Sequence, residues 1–233
     1  QRSAVLSTLN LVSDALKLLP SLADTTAEWS AVGWARERKG WIFISSTPET
    51  REPLLPLISM WLDMLILRLM SADQKWAHER PVWVVADEVA SLQKLPQLAT
   101  ALTESRKPNV RILLGFQGRS QLESRYGLEA EVMLSQPATK IFLRTSEPRA
   151  AKWISDSIGD VTVERMREGV TAAVNDWRDS ANYSMNRSTE PLISPAQITG
   201  LPSLTGYIKS ENHVVKFQFK PDPRPEKARG FVP

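Results

Sequence analysis

Asp87 and Glu88 stand side by side at the end of a short apolar run, Val82-Trp83-Val84-Val85-Ala86. Two adjacent carboxylates suit metal-assisted phosphoryl transfer: the first orients the shell of a magnesium ion and the second polarises the attacking water. A pair of solvated acids closing a strand is the competing explanation. Two more groups have matching chemistry. A guanidinium at Arg106 can neutralise charge on a transferring phosphoryl group, and the Gln117 amide can sense a γ-phosphate or orient water. Taken singly, Arg106 reads first as a solvated cation complementing a helix end, and Gln117 as a strand-end cap. The four fall at or near the ends of successive segments, which predicts convergence on one rim. Arg106, Lys107, Arg111, Arg119 and Arg125 also gather here against Glu104 and Glu123. Such a rim could touch a phosphate backbone without reading bases, or be ordinary solvated surface.

Periodicity supplies the elements that position these groups. The run 82–86, rich in β-branched and aromatic residues, reads as a strand buried on both faces. Leu92, Leu95, Leu98, Ala99 and Leu102 then follow near helical spacing. Gly40-Trp41-Ile42-Phe43-Ile44 reads as an earlier strand, and Ser46 with Glu49 predicts a capping box opening a long helix to about Met70. Downstream, Val110–Phe116 is a strand, Gln121–Leu134 a helix and Lys140–Leu143 a short strand. Ser146-Glu147-Pro148 starts a helix to about Ile158, with proline in its first turn. This alternation is the signature of an α/β fold, a mainly parallel sheet with helices on both faces. Ligands of such sheets bind beyond the carboxyl ends of the strands.

The flanks differ. Val5, Leu6, Leu9, Val12, Leu16 and Leu19 give Ala4–Leu19 a helical face that Pro20 closes. Val161–Glu190 is polar and weakly periodic. Ser194-Pro195-Ala196-Gln197 reads as a capped helix start. Tyr207-Ile208-Lys209 and His213–Phe219 read as a hairpin around Ser210-Glu211-Asn212, at the edge of the sheet. The proline-rich Lys220–Pro233 reads as an extended tail.

Composition narrows the chemistry. The chain has 233 residues, 42% hydrophobic and 24% charged, enough for a sizeable core. A net charge of +3 permits an anionic partner. With no cysteine there is neither a disulfide nor a thiolate metal site, and two histidines, His78 and His213, leave little for a zinc cluster or a serine–histidine hydrolase. The most apolar stretch, Leu54–Met70, carries Asp63 and Arg68 and falls short of the ~20 apolar residues of a membrane span. It is expected to be a buried helix. Most of the eight tryptophans are expected to pack rather than stack on bases. A start at Gln1 without methionine suggests a piece of a longer protein.

Three stretches carry a family resemblance: GWIFISS (Gly40–Ser46), WVVADEVASLQKLPQLATALTESRK (Trp83–Lys107) and LLGFQGRSQLESRYG (Leu113–Gly127). Gly40–Ile158 resembles the motor domain of type IV coupling proteins, the TraD/TrwB-like branch of RecA-type ATPases in conjugation and type IV secretion. ISPAQITGLPSLTGYIK (Ile193–Lys209) matches more loosely. The resemblance implies a ring ATPase, hexameric when active, anchored at the cytoplasmic face of the bacterial inner membrane. Such a ring receives a relaxase-bound strand and feeds single-stranded DNA to the secretion channel. It implies ATP and Mg2+ as cofactors, with Asp87 as the Walker B magnesium-shell acid and Glu88 as the catalytic glutamate. Arg106 matches the arginine that reaches a neighbouring subunit's nucleotide, and Gln117 the sensor glutamine. Lys107, Arg119 and Arg125 are the candidate DNA contacts. Residues 1–39 would end an all-helical insert, residues 40–220 form the carboxyl-terminal part of the nucleotide-binding domain, and residues 221–233 the tail.

The sequence departs from the family in one respect above all: no G-x-x-x-x-G-K-[ST] occurs in it. That loop supplies the phosphate nest, the lysine on the β/γ-phosphates and the hydroxyl on magnesium. The chain alone is therefore expected to hydrolyse no ATP. Pro108 and Arg119 also stand where smaller or more flexible residues are expected. Two other readings compete. One is a non-hydrolysing, motor-derived scaffold recruiting a relaxase or protein substrates; the other is a DNA pump of the FtsK-like class.

Overall fold

The carboxylate pair closes strand β1 (Val82–Ala86), which runs parallel to β2 (Val110–Leu114) in register from Val82↔Val110 to Ala86↔Leu114. In this computed structural model residues 13, 15–19, 21, 28–71, 79–170 and 181–223 are described. They fall into two units, Gln1–Pro137 and Ala138–Pro233. Most of the expected helix Ala4–Leu19, and the tail from residue 224, lie outside the described residues.

In the first unit, α1 (Ala31–Glu37) is capped by the Ser30 hydroxyl, which accepts from the Gly33 N–H at 3.3 Å, and ends at Arg38 in the left-handed region. The long helix α2 (Pro48–Ser71) opens on a reciprocal cap one residue later than expected. The Thr50 N–H donates to Thr47 Oγ1 at 3.3 Å and the Thr47 N–H to Thr50 Oγ1 at 3.2 Å, so a threonine does the work foreseen for Glu49.

By length and composition alone α2 could cross a membrane. It is nevertheless fastened into the unit by buried Leu65, Ile66 and Leu69, while Met60, Met64 and Leu67 stay exposed, so it is half buried rather than enclosed. Ser59 and Asp63, one turn apart, explain the polar interruptions of its apolar pattern. Ser59 Oγ accepts from the Gln93 N–H at 3.0 Å, and Asp63 Oδ1 from the Gln97 N–H at 2.8 Å. Asp63 thereby serves as the cap that Leu95 cannot provide for α3 (Pro96–Glu104). Burial raises the Asp63 carboxyl above its ordinary value, and the Gln97 N–H opposes that shift.

The expected helix from Leu92 starts only at Pro96. Val89–Ser91 is a single 3-10 turn, and proline holds Leu95 extended at φ −102°, ψ 100°. The helix expected over Gln121–Leu134 is two, α4 (Arg119–Tyr126) and α5 (Glu129–Ser135), broken at Gly127 with φ 59°.

Val82 and Val110 pack on Ala35, Leu65 and Leu69, giving the parallel pair one covered face. The other is open: Trp83 is 58% and Val85 63% exposed, contrary to a strand buried on both sides. Trp83 instead carries the Arg111 guanidinium over its ring at 5.3 Å, a cross-strand cation–π contact. Gly40–Ile44 forms no strand, because no described segment offers its backbone a ladder. Trp41 and Phe43 are 87% and 84% exposed and stack on each other at 6.2 Å, so the packing role expected of Trp41 is not met among the described residues.

The second unit holds β3 (Thr139–Leu143), α6 (Pro148–Ile158), β4 (Asp160–Val170), β5 (Ala181–Pro191), α7 (Pro195–Thr199), β6 (Thr205–Ser210) and β7 (His213–Gln218). The expected hairpin is β6–β7, turning at Glu211-Asn212. β3 joins it antiparallel through β6, giving a sheet of order β3-β6-β7. Phe142, Ala151, Ile154, Ile158, Ile198, Leu201 and Tyr207 form the core beneath. The polar segment Val161–Glu190 contains a long antiparallel ribbon, β4–β5, pinned by Arg165–Glu190 at 2.9 Å and Arg187–Glu164 at 2.6 Å. Exposed polar residues on both strands erase the alternation by which a half-buried strand is recognised. The Ser194/Gln197 capping box is present on α7, with bonds of 3.3 and 2.8 Å.

Candidate functional site

At the carboxyl end of the parallel pair the ladder skips a beat. The Gly115 N–H donates to Ala86 O at 2.7 Å, and Gly115 O next accepts from the Val89 N–H at 3.0 Å. A regular parallel ladder would use the residue two beyond Ala86, which is Glu88. One extra residue is therefore looped out, and it turns the acid pair away from the sheet. The Ser91 N–H and hydroxyl both donate to Glu88 O, at 3.0 and 2.7 Å, and lock the turn. Asp87 is exposed, whereas Glu88 is half-buried with Oε1 enclosed and without a hydrogen-bond partner among the described residues. A buried carboxylate oxygen left unpaired is costly, and such costs concentrate where a ligand completes the site.

Gly115 is a site residue that side-chain chemistry could not reveal. A Cβ there would lie 2.1 Å from Asp87 O, so only glycine lets the two strand ends close. Its signal in the sequence was a lone glycine between a strand and Gln117. Gly115→Ala is expected to lower stability by about 1–3 kcal/mol, the usual cost of overpacking. Urea denaturation of the chain reads this, and an unchanged midpoint would contradict the close approach.

Gln117 leaves β2 just beyond Gly115 and is exposed at the same end as the acids. Arg106 is not there. It lies on the turn 105–109 before β2, closed by Val110 N–H to Ser105 O at 2.9 Å and Asn109 N–H to Arg106 O at 3.2 Å. Val110 pairs with Val82, the first residue of β1, whereas the acids follow its last. Roughly 13 Å of strand, at ~3.3 Å per residue, separates the two ends, further than an arginine side chain extends. The expected convergence of four groups on one rim is thus corrected. Asp87, Glu88 and Gln117 share one end of the pair, and Arg106 projects from the other. Spacing along the chain missed this because a residue just before a parallel strand lies at the end opposite to one just after its neighbour.

The basic candidates divide similarly. Lys107 is exposed beside Arg106. Arg119 is held by Glu123 at 2.6 Å and Glu131 at 3.0 Å, and the Glu123 hydrogen bond is the largest influence raising its pKa, so its charge is already engaged. Arg125 is exposed and donates to Ala90 O at 3.4 Å, near the acid turn.

A cleft of about 750 Å³ follows β1, bounded by α2 and the Trp41–Ile44 segment, and its lining includes Asp87 and Glu88. No group of three or more metal-binding side chains occurs among the described residues. An ion held here would be of the magnesium type, which takes one or two carboxylates and completes its shell with phosphate oxygens and water. Asp87, with Glu88 behind it and Gly115 leaving the turn open, fits that requirement.

The family described as the type IV secretion-system coupling protein DNA-binding domain matches residues 2–220. The coupling protein TraD of Escherichia coli (strain K12) is 31% identical over 212 residues, covering 90% of this chain and 29% of TraD. Among solved structures, the unbound monoclinic form of the bacterial conjugative coupling protein TrwBdeltaN70 superposes with a TM-score of 0.75 at 30% identity, covering 88% of this chain and 46% of that one. TrwB with the non-hydrolysable GTP analogue GDPNP, and TrwB with ADP and Mg2+, superpose at 0.74 and 0.73 with 30% and 29% identity, over the same shares of the chains. The chain therefore spans under a third of TraD and under half of the TrwB chains. It shares with them the α/β, RecA-like motor fold.

Proposed function

The chain belongs to the type IV secretion-system coupling protein DNA-binding domain family, and from that premise we propose that it is the carboxyl-terminal part of a motor domain whose complete protein couples ATP hydrolysis to passage of single-stranded DNA into a type IV secretion channel. The observation that carries this reading is the bulged Asp87–Glu88 turn beside Gly115 and Gln117, with Glu88 Oε1 buried and unpaired among the described residues. ATP and Mg2+ supply the phosphoryl group and the ion that neutralises it. Asp87 holds the magnesium shell. Glu88 accepts the proton of the attacking water, and the Gln117 amide orients that water or senses the γ-phosphate. Arg106 serves a neighbouring subunit of a homo-hexamer.

In the same reading residues 1–39 close a helical insert, residues 40–220 belong to the nucleotide-binding domain and residues 221–233 are its tail. The complete protein sits at the cytoplasmic face of the inner membrane and receives a relaxase-bound strand. Of the DNA candidates, exposed Lys107 and Arg125 are the stronger; Arg119, ion-paired twice, is the weaker.

ATP turnover is expected from the complete protein and not from these 233 residues, which contain no G-x-x-x-x-G-K-[ST] phosphate loop. A steady-state phosphate-release assay on both tests this. Turnover by the isolated chain that vanishes in Glu88→Gln would contradict it.

A further inference from the structure

Among the described residues of the first unit, Arg38 is a charged side chain that is buried. Only 8% of it is exposed, and its partners among the described residues are all backbone carbonyls. Nη1 donates to Pro108 O at 2.6 Å and Arg80 O at 3.3 Å, and Nε to Ala35 O at 3.4 Å. Nη2 is buried without a partner among the described residues, and desolvation lowers the guanidinium's pKa. The Arg38 backbone sits at φ 52°, a conformation that costs a non-glycine residue energy. Burying a charge in a strained position is a poor way to stabilise a fold.

The carbonyls it joins suggest another purpose. Pro108 belongs to the turn that carries Arg106, Arg80 precedes β1, and Ala35 lies in α1. Arg80 answers by donating from its Nη1 to Glu37 O at 2.8 Å, in the last turn of α1. The two arginines thus strap the carboxyl end of α1 to the entries of both parallel strands. On the far side of the turn, Asn109 is also left-handed, at φ 53°. Arg38 Nη1 on Pro108 O thus anchors the chain from Ser105 to Val110 to the end of α1, beside its internal bonds and the strand register.

We propose that Arg38 is a positioning residue for Arg106: through Pro108 it fixes the turn that projects Arg106 towards a neighbouring subunit, and it ties that turn to helix α1. The inference rests on the role given to Arg106 under the proposed function. The hydrogen bonds of Arg38 go to Ala35, Arg80 and Pro108, at the end of β1 opposite the acid turn.

The complete protein tests it. Arg38→Ala is expected to lower kcat by about 10- to 100-fold, as misplacement of a reacting group does, with the KM for ATP nearly unchanged. Arg38→Lys, which reaches one carbonyl but lacks the fork, falls between; it carries the test if Arg38→Ala does not fold. In an Arg38/Arg106 double variant the loss matches that of Arg106→Ala alone. Losses that simply add, or a raised KM with unchanged kcat, overturn the proposal. Mixed rings separate it from the reading beneath. Arg38→Ala mixed with Glu88→Gln regains activity, and mixed with Arg106→Ala does not; the reverse pattern places the defect in Arg38's own pocket and overturns the proposal. If Arg106→Ala mixed with Glu88→Gln regains nothing, the cross-subunit role of Arg106 fails, and the double variant still decides whether Arg38 acts through it.

Discussion

Glu88→Gln in the complete protein abolishes ATP turnover, a fall of about 10²- to 10⁴-fold or more, and leaves ATP binding nearly unchanged. The substitution keeps shape and removes only the proton acceptor, and general-base catalysis contributes on that order. Binding survives because Glu88 forms no part of the phosphate cradle. The 88–91 turn is held through the Glu88 carbonyl, which Ser91 engages twice, and the substitution leaves that carbonyl in place. Equilibrium titration with a fluorescent ATP analogue, beside a phosphate-release assay, separates the two effects. Normal turnover removes Glu88 from the chemistry. Lost binding with lost turnover would mean that Glu88 holds the nucleotide rather than activating the attacking water.

Arg106→Ala lowers turnover by about 10³- to 10⁵-fold, the range of an arginine that stabilises charge on a transferring phosphoryl group, although the variant's own acid turn is untouched. The proposed role across subunits accords with the positions of these residues. Arg106 lies before β2 and the acids lie after β1, at opposite ends of one parallel pair. Rings mixed from Arg106→Ala and Glu88→Gln subunits therefore regain activity, since each Arg106→Ala pocket can receive the arginine of a Glu88→Gln neighbour. Titrating one variant into the other gives a maximum at intermediate composition. A flat, inactive titration would place Arg106 in its own subunit's site or outside catalysis.

The acid turn was the most legible part of the sequence, because an apolar run interrupted by two acids has few structural solutions. Its partner β2 and the β6–β7 hairpin were equally plain from alternation and turn residues. The failures have physical causes. Gly40–Ile44 has the composition of a strand, but a strand is a relation between two backbones, and the described residues give it no partner. The β4–β5 ribbon carries polar residues on both sides, so it lacks the periodicity that a covered face imposes. Arg106 could be recognised as a residue type but not placed, since the sense of each strand decides which end a flanking residue occupies. Gly115 and Arg38 escaped notice because their importance lies in backbone atoms: an oxygen too close for a Cβ, and carbonyls that no side-chain pattern encodes. Asp63, a carboxylate inside an apolar run, caps the next helix, which no pattern within its own helix encodes.

The most direct measurement is a structure of the complete, assembled protein with a non-hydrolysable ATP analogue and Mg2+. The account predicts Asp87 in the magnesium shell, Glu88 and Gln117 facing the γ-phosphate, and Arg106 of the adjacent subunit reaching that phosphate. A nucleotide bound away from the Asp87–Glu88 turn, or contacted by Arg106 of the same subunit, would contradict it.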